Sequence, residues 1–209
     1  MSQWIITSTA REHWFSGPMA TADNVPGVQE FTHSLSMINR YTGHTSRPYS
    51  VAEHSLLVYW LAVAAGADTS LQLAALMHDA HESVTGDCTS PVKREIGQPW
   101  SAFEGPQQER LLAHYGLLQV SRSHQWAIRQ WDLEALATER RDLLPFNPAL
   151  HTPWPVIDTP GSEVLPVGVD LNQPWRIHSP WSYWRDRMAF EVNMLLEQRM
   201  QEEQKAVAA

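Results

Sequence analysis

The densest apolar stretch runs over residues 56–65 and is preceded by Ser50 and, three positions later, Glu53. That spacing is a capping-box pattern, in which the serine side chain satisfies a first-turn amide and the glutamate reaches back to the cap. It predicts a helix over residues 51–66. The segment is apolar on nearly every side, as a central helix surrounded by others must be. It is roughly half the ~20 residues that a membrane span needs. Asp68 to Ser70 are cap-type residues, and Leu71, Ala74, Ala75, His78 and Glu82 follow at spacings of three and four, predicting a second helix with His78 and Glu82 on its inward stripe. Gly86 breaks that pattern. A short helix follows from Pro91 to about Ile96, then a turn at 97–99 and a helix over 107–115 ending at Gly116. Ser121 or Ser123 caps a longer helix to about Leu144, on which Ile128, Asp132, Ala135 and Leu136 share a face.

Residues 145–180 hold eight of the 14 prolines and few helix-compatible windows, which predicts an irregular excursion, packed down by Trp154 and Trp175. Helix returns over 182–201, where Met188, Val192, Leu195 and Leu196 are spaced to dock on a core, and the tail beyond Glu202 is expected to fray. No internal repeat is present and no alternation is strong enough to build a sheet. The expected fold is all-α, one domain over residues 1–209.

Composition narrows the classes of function. Hydrophobic residues make up 43% and charged residues 18%, values of a folded globule and not of a disordered chain. A net charge of -8 repels phosphate backbones, so bulk nucleic-acid binding is not expected. Cys88 is the only cysteine, which excludes an intrachain disulfide and any thiolate zinc cluster. The N-terminal residues lack the apolar region of a secretory signal. The expected compartment is the cytoplasm, with no membrane partner.

A His-Asp pair is expected about 0.4 times by chance at this composition, so His78-Asp79 gains weight only from its company. His54 on the central helix and Asp132 in the apolar stripe of a third helix are also ionisable groups at inward positions. A core histidine alone is more often hydrogen-bonded to a carbonyl than metal-bound. Asp132 is harder to account for, because a core-facing carboxylate costs several kcal/mol unless it is paired or metal-bound, and Arg129 and Arg140 are the local pairing candidates. Two imidazoles and two carboxylates suit one borderline divalent metal (Zn, Mn, Fe, Co or Ni) and are too nitrogen-rich to favour Mg or Ca. Such a metal acidifies water and polarises a phosphoryl oxygen, the equipment of a hydrolase. Glu82, four positions after His78, is placed to orient or deprotonate the attacking water or to protonate the departing oxygen.

Between Arg11 and Lys93 the only cations are Arg40 and Arg47, against eight acids. An anionic substrate needs positive charge beside the metal, so both are candidates to touch it, with Lys93 and Arg94 adding to them. That inventory serves one phosphate and barely serves three. Tyr41 is a candidate platform for a nucleobase or sugar. His33, His44 and His81 are further metal or phosphate candidates, for each of which an ordinary hydrogen-bonded histidine is the better reading. The 10 tryptophans are expected to lie mostly in the core. No Gly-rich phosphate loop, Walker pattern or His-Glu-x-x-His is present.

Ser50-Val51-Ala52-Glu53-His54-Ser55, His78-Asp79-Ala80-His81-Glu82-Ser83-Val84-Thr85-Gly86-Asp87 with Pro91-Val92-Lys93, and Asp132-Leu133-Glu134-Ala135 together resemble the HD-domain metal-dependent phosphohydrolases. Within these the closest similarity is to bacterial 5′-deoxynucleotidases and their phage-encoded relatives, some of which are deoxynucleoside triphosphate triphosphohydrolases. The resemblance spans about residues 31–144. It implies a single all-α HD-type bundle in which His54, His78, Asp79 and Asp132 hold one divalent metal and Glu82 is the catalytic acid. It also implies that Arg40-Tyr41 receives phosphate and sugar, that Asp87 contacts the deoxyribose, and that the protein is a homo-oligomer. This chain departs from the family in having Tyr41 where Trp is common, a longer leader, and the 145–180 excursion. The expected activity is release of phosphate from deoxynucleoside 5′-monophosphates. The alternatives are a dNTP triphosphohydrolase, a regulatory nucleotide-binding protein without activity and, more distantly, a hydrolase of guanosine tetraphosphate.

Overall fold

The computed structural model describes residues 3–208. Of the chain, 61% is helical and 4% is in strands, as the all-α expectation requires. The strands form a feature that the sequence does not announce, a hairpin of β1 (Trp4–Ile6) and β2 (Glu12–Trp14). Segments of 3 residues are too short to show an alternation. Tertiary contacts hold the hairpin down: Arg11 and the hydroxyls of Thr7 and Thr9 converge on the buried carboxylate of Glu30, in α1 (Val28–Met37).

The central helix forms as expected, as α2 (Val51–Ala64), with residues 51–59 all buried. It packs against α1, α3 (Thr69–Leu76), α8 (Gln125–Leu143) and α11 (Trp181–Ala208). Each fully buried Leu at these contacts, such as Leu56, Leu57 and Leu73, contributes about 1.5–3 kcal/mol. Only the serine half of the capping box forms, the Ser50 hydroxyl accepting from the Glu53 amide at 3.1 Å. The Glu53 carboxylate turns away to a buried ion-pair triad with Arg47 and Arg176.

The second helix is shorter than its spacing predicts. α3 ends at Leu76, and residues 77–81 make tight turns, with Ala80 donating to Met77 and Glu82 to Asp79, before the single-turn α4 (Glu82–Thr85). This break carries the site, because His78 and Asp79 both lie in these turns, with His78 Nε2 3.1 Å from Asp79 Oδ2. α5 (Ser90–Ile96) forms as expected. The turn expected at 97–99 is reduced to Gly97 in a left-handed conformation (φ 71°), and α6 (Gln98–His114) begins at once with Pro99 in its first turn. The long helix expected after Ser121 or Ser123 is split at His124 into α7 (Leu118–Ser123) and α8, and neither serine caps it.

Residues 145–180 are irregular, as expected, apart from the short α9 (Pro155–Asp158) and α10 (Pro174–His178). Ion pairs fasten this segment more than tryptophan burial does. Arg140 binds Asp158 and lies over Phe146 (4.4 Å) and Trp154 (5.2 Å), while Arg176 sits among Trp60, Trp175 and Trp184. Ile157 and Leu171 supply the buried apolar contacts. The expectation of a tryptophan-rich core fails: Trp184 alone among the 10 is buried, and Trp126 is 80% exposed. The expectation of a frayed tail also fails. α11 continues to Ala208, helped by Thr69 donating to Glu202 at 2.8 Å and by the Arg199–Glu203 pair at 3.1 Å.

Candidate metal centre

Three segments deliver four donor atoms to one place: α2 carries His54, the turn after α3 carries His78 and Asp79, and α8 carries Asp132. His54 Nε2 lies 3.3 Å from His78 Nε2, 3.5 Å from Asp79 Oδ2 and 3.4 Å from Asp132 Oδ1, and His78 Nε2 lies 3.1 Å from Asp79 Oδ2. His54, His78 and Asp79 form a set whose donor atoms lie within 4.8 Å of one another, and Asp132 joins it through His54. His54 is fully buried, whereas Asp79 and Asp132 keep about a fifth of their side chains open.

The outer ring nitrogens show what the inner ones can do. His78 Nδ1 is 2.8 Å from the Ala75 carbonyl, which only accepts, so it carries the proton. His54 Nδ1 is 2.6 Å from Glu139 Oε1 and donates to that carboxylate. In neutral imidazoles both Nε2 atoms therefore present lone pairs to each other and to two carboxylates. Positive charge must neutralise that arrangement, and a divalent metal fits the donor set. Burial and Arg40 act to lower the pKa of His54, but Glu139, Asp132 and Asp79 together carry it well above its ordinary value. Burial acts to raise both aspartates, yet His78 and His54 hold Asp79 well below the usual carboxylate range, and His54 holds Asp132 at about 2. The field is one that retains cations.

Glu139 is the residue that the sequence reading missed. It is fully buried, accepts from Tyr41 Oη at 2.6 Å and pairs with Arg40 Nε at 3.3 Å as well as fixing His54. Its position, two helical turns after Asp132 on the same face of α8, was a visible signal. Tyr41 and Thr42 both adopt left-handed φ (55° and 53°), a strain of about 1–2 kcal/mol per residue. That bend leads Arg40 and Tyr41 onto Glu139. Arg40 also reaches Asp79 at 3.7 Å. Tyr41, read from sequence as a substrate platform, has its hydroxyl committed to Glu139.

Glu82 is buried beside this set. Burial, with the charges of Asp79 and Asp87, pushes its pKa well up against Arg40 and Lys93, and its Oε2 has no hydrogen-bond partner among the described residues. Asp87 is raised too, by burial and Asp79, with Arg40 opposing. Lys93 pairs with Glu104 at 2.6 Å and reaches Glu82 at 3.7 Å, while Arg94 is exposed. His81 is buried with Nε2 3.3 Å from Glu104. His33 packs edge-on against Trp181, and His44 is exposed.

Arg47 does not belong to the site. Its guanidinium grips Glu53 through two bonds of 2.9 and 2.8 Å and donates to the carbonyls of Leu171 and Pro48, so its donors are consumed in fastening the excursion to α2. Asp132 answers both readings made from sequence: Oδ1 faces His54, while Oδ2 pairs with Arg129 at 2.7 Å. Arg140, the other pairing candidate, is occupied by Asp158.

No family model matches the chain. An uncharacterised protein of Rhodobacter capsulatus is 38% identical over 94 residues, 43% of this chain, and the chain spans about half (48%) of that relative's length. The uncharacterised protein YfdR of Escherichia coli K12 is 34% identical over 141 residues, which are 67% of this chain and 72% of YfdR. At that identity over that share of both sequences, the chain belongs to the same family as YfdR.

Proposed function

We propose that the protein is a divalent-metal-dependent phosphohydrolase of the HD-domain type that releases phosphate from deoxynucleoside 5′-monophosphates. The observation that carries this reading is the pair of imidazoles whose outer nitrogens are both pinned to acceptors, so that two Nε2 lone pairs meet the Asp79 carboxylate, with Asp132 3.4 Å from the His54 nitrogen. His54, His78, Asp79 and Asp132 would hold the metal, which when bound supplies Lewis acidity to a phosphoryl oxygen and lowers the pKa of water.

The chain's own groups do the rest. Glu82, whose carboxyl burial and the Asp79 charge shift toward the protonated form, is set to donate a proton to the departing nucleoside oxygen. Arg40 neutralises phosphate charge beside Asp79, and Glu139 holds both Arg40 and His54 in place. The half-buried Asp87, within the same field, is available to the sugar. With Arg47 withdrawn and Lys93 paired to Glu104, the cations around Glu82 suit one phosphate better than three. This favours a monophosphate over a triphosphate.

The test is a phosphate-release assay on deoxynucleoside mono- and triphosphates with protein loaded with Mn, Co, Ni or Zn, the products being separated by anion exchange. Nucleoside and inorganic phosphate are expected from the monophosphate at the higher rate. Predominant release of intact triphosphate would move the point of cleavage. Stoichiometric metal without turnover of any nucleotide would overturn the enzymatic reading in favour of a regulatory nucleotide-binding protein.

A further inference from the structure

A cavity of about 180 Å³ opens beside the donor set, with His78, Asp79 and Asp132 in one wall. Its other walls bring Gln108 from α6, Ser121 from α7, and Gln125, Ile128 and Arg129 from α8. These residues are distinct from Arg40, Glu82, Asp87 and Lys93, which lie within one another's fields. The break between α7 and α8 at His124 places Ser121 and Gln125 on the same cavity.

We propose that this cavity is an anion subsite and that Arg129 is its phosphate-binding cation. Arg129 is held by Nη1 on Asp132 Oδ2, and among the described residues its Nε and Nη2 have no partner. A guanidinium fixed at one edge and free at the other presents a preformed fork to phosphoryl oxygens. The Asp132 contact thus holds the half-exposed arginine at the cavity wall while Oδ1 of the same carboxylate faces His54. Carboxamides at Gln108 and Gln125 and the Ser121 hydroxyl add neutral donors, and Gln108 is steadied by donating to the His78 carbonyl at 3.2 Å. The wall has no carboxylate besides the two aspartates of the donor set. An anion entering it meets these donors on every wall except that of His78, Asp79 and Asp132, the residues that would hold the metal. The inference rests on the function proposed above only in taking a phosphoryl group as the anion.

The probe is inorganic phosphate, titrated calorimetrically into Mn²⁺-loaded protein. Arg129→Gln should weaken phosphate binding about 10- to 100-fold, the scale of lost charge-assisted hydrogen bonds, and leave the Mn²⁺ affinity measured in the same instrument unchanged or tighter. Arg129→Lys, which keeps the charge and loses the fork, should fall between. Three results would overturn the assignment: wild-type protein that does not bind phosphate, equal binding by Arg129→Gln, or loss of Mn²⁺ in that variant, which would make Arg129 only a support for Asp132. Phosphate binding that depends on Arg129 in a protein turning over no nucleotide would refute the proposed activity and leave the subsite standing. Turnover indifferent to Arg129 would do the reverse.

Discussion

His54, His78, Asp79 and Asp132 converge with no lysine among them, whereas His81, Glu82 and Glu104, close by, gather beside the ammonium of Lys93. Both groups hold histidine and carboxylate within ligand distance of one another, and by residue type alone either is a metal site. They differ in where the imidazoles' other nitrogens go and in the cation beside them, Arg40 (3.7 Å from Asp79) and Arg129 (2.7 Å from Asp132) at the first and Lys93 at the second. In the first, both Nδ1 atoms are bound to acceptors and the Nε2 atoms face inward. In the second, His81 Nδ1 has no partner among the described residues, and Lys93 sits 2.6 Å from Glu104. The first cluster turns two Nε2 atoms toward its carboxylates, whereas in the second the Lys93 ammonium is bonded directly to one of the candidate donors. The expected binding is therefore one metal per chain.

The sharpest way to break this contrast is Asp132→Asn, which removes an anionic donor without altering the size of the side chain. It should lose the metal and all turnover, read by elemental analysis and phosphate release. Stoichiometric metal with full activity would remove Asp132 from the donor set. Glu82→Gln, in the second cluster, should keep the metal and substrate affinity and lose about 10²-fold or more in the single-turnover rate. Loss of metal in that variant would move Glu82 into the first cluster. Glu139→Gln removes the carboxylate behind His54 and should weaken metal binding by about 10- to 100-fold, less than Asp132→Asn does. Unchanged affinity in a metal titration would show that His54 needs no such brace.

The smallest effect concerns pH. Burial opposes it, but His81 and Lys93 hold Glu104 at about 2, below its ordinary 4.5. A carboxylate depressed on folding contributes stability that is fully present above its unfolded pKa and is lost as pH falls through the folded one. Glu104→Gln should therefore melt below wild type at pH 7, with the gap closing as pH falls from 4.5 towards 2. A gap that stays constant across that window in thermal melts would assign the effect of Glu104 to packing and not to charge.

The parts of the molecule legible in the sequence are those governed by local rules. Ser50 marks the start of α2 because a side-chain cap is a contact three residues long. The burial of α2 follows from an apolar run with no polar face. The four donors were legible as types and positions, and the proline-rich segment as irregular. The hairpin, α9 and α10 were not, because elements of 3 to 5 residues carry no period to read.

What the sequence determined by itself is the helical class, the central helix and the inventory of ionisable groups. Tertiary structure decided which of those groups meet. Glu53 and Arg47 sit beside the site in sequence and are committed to each other, Glu53 binding Arg176 as well, 123 residues away. Glu139 shares a helical face with Asp132 in the sequence, but its partner is undecided until α8 lies against α2 and brings it 2.6 Å from His54. The reason is physical: a charged side chain removed from water needs an opposite charge or a hydrogen-bond partner close in space, whether or not that partner is close in sequence. Its partner is whichever opposite charge the packing of helices carries into the same low-dielectric space, and that is settled by the apolar core and not by the spacing of the charges themselves.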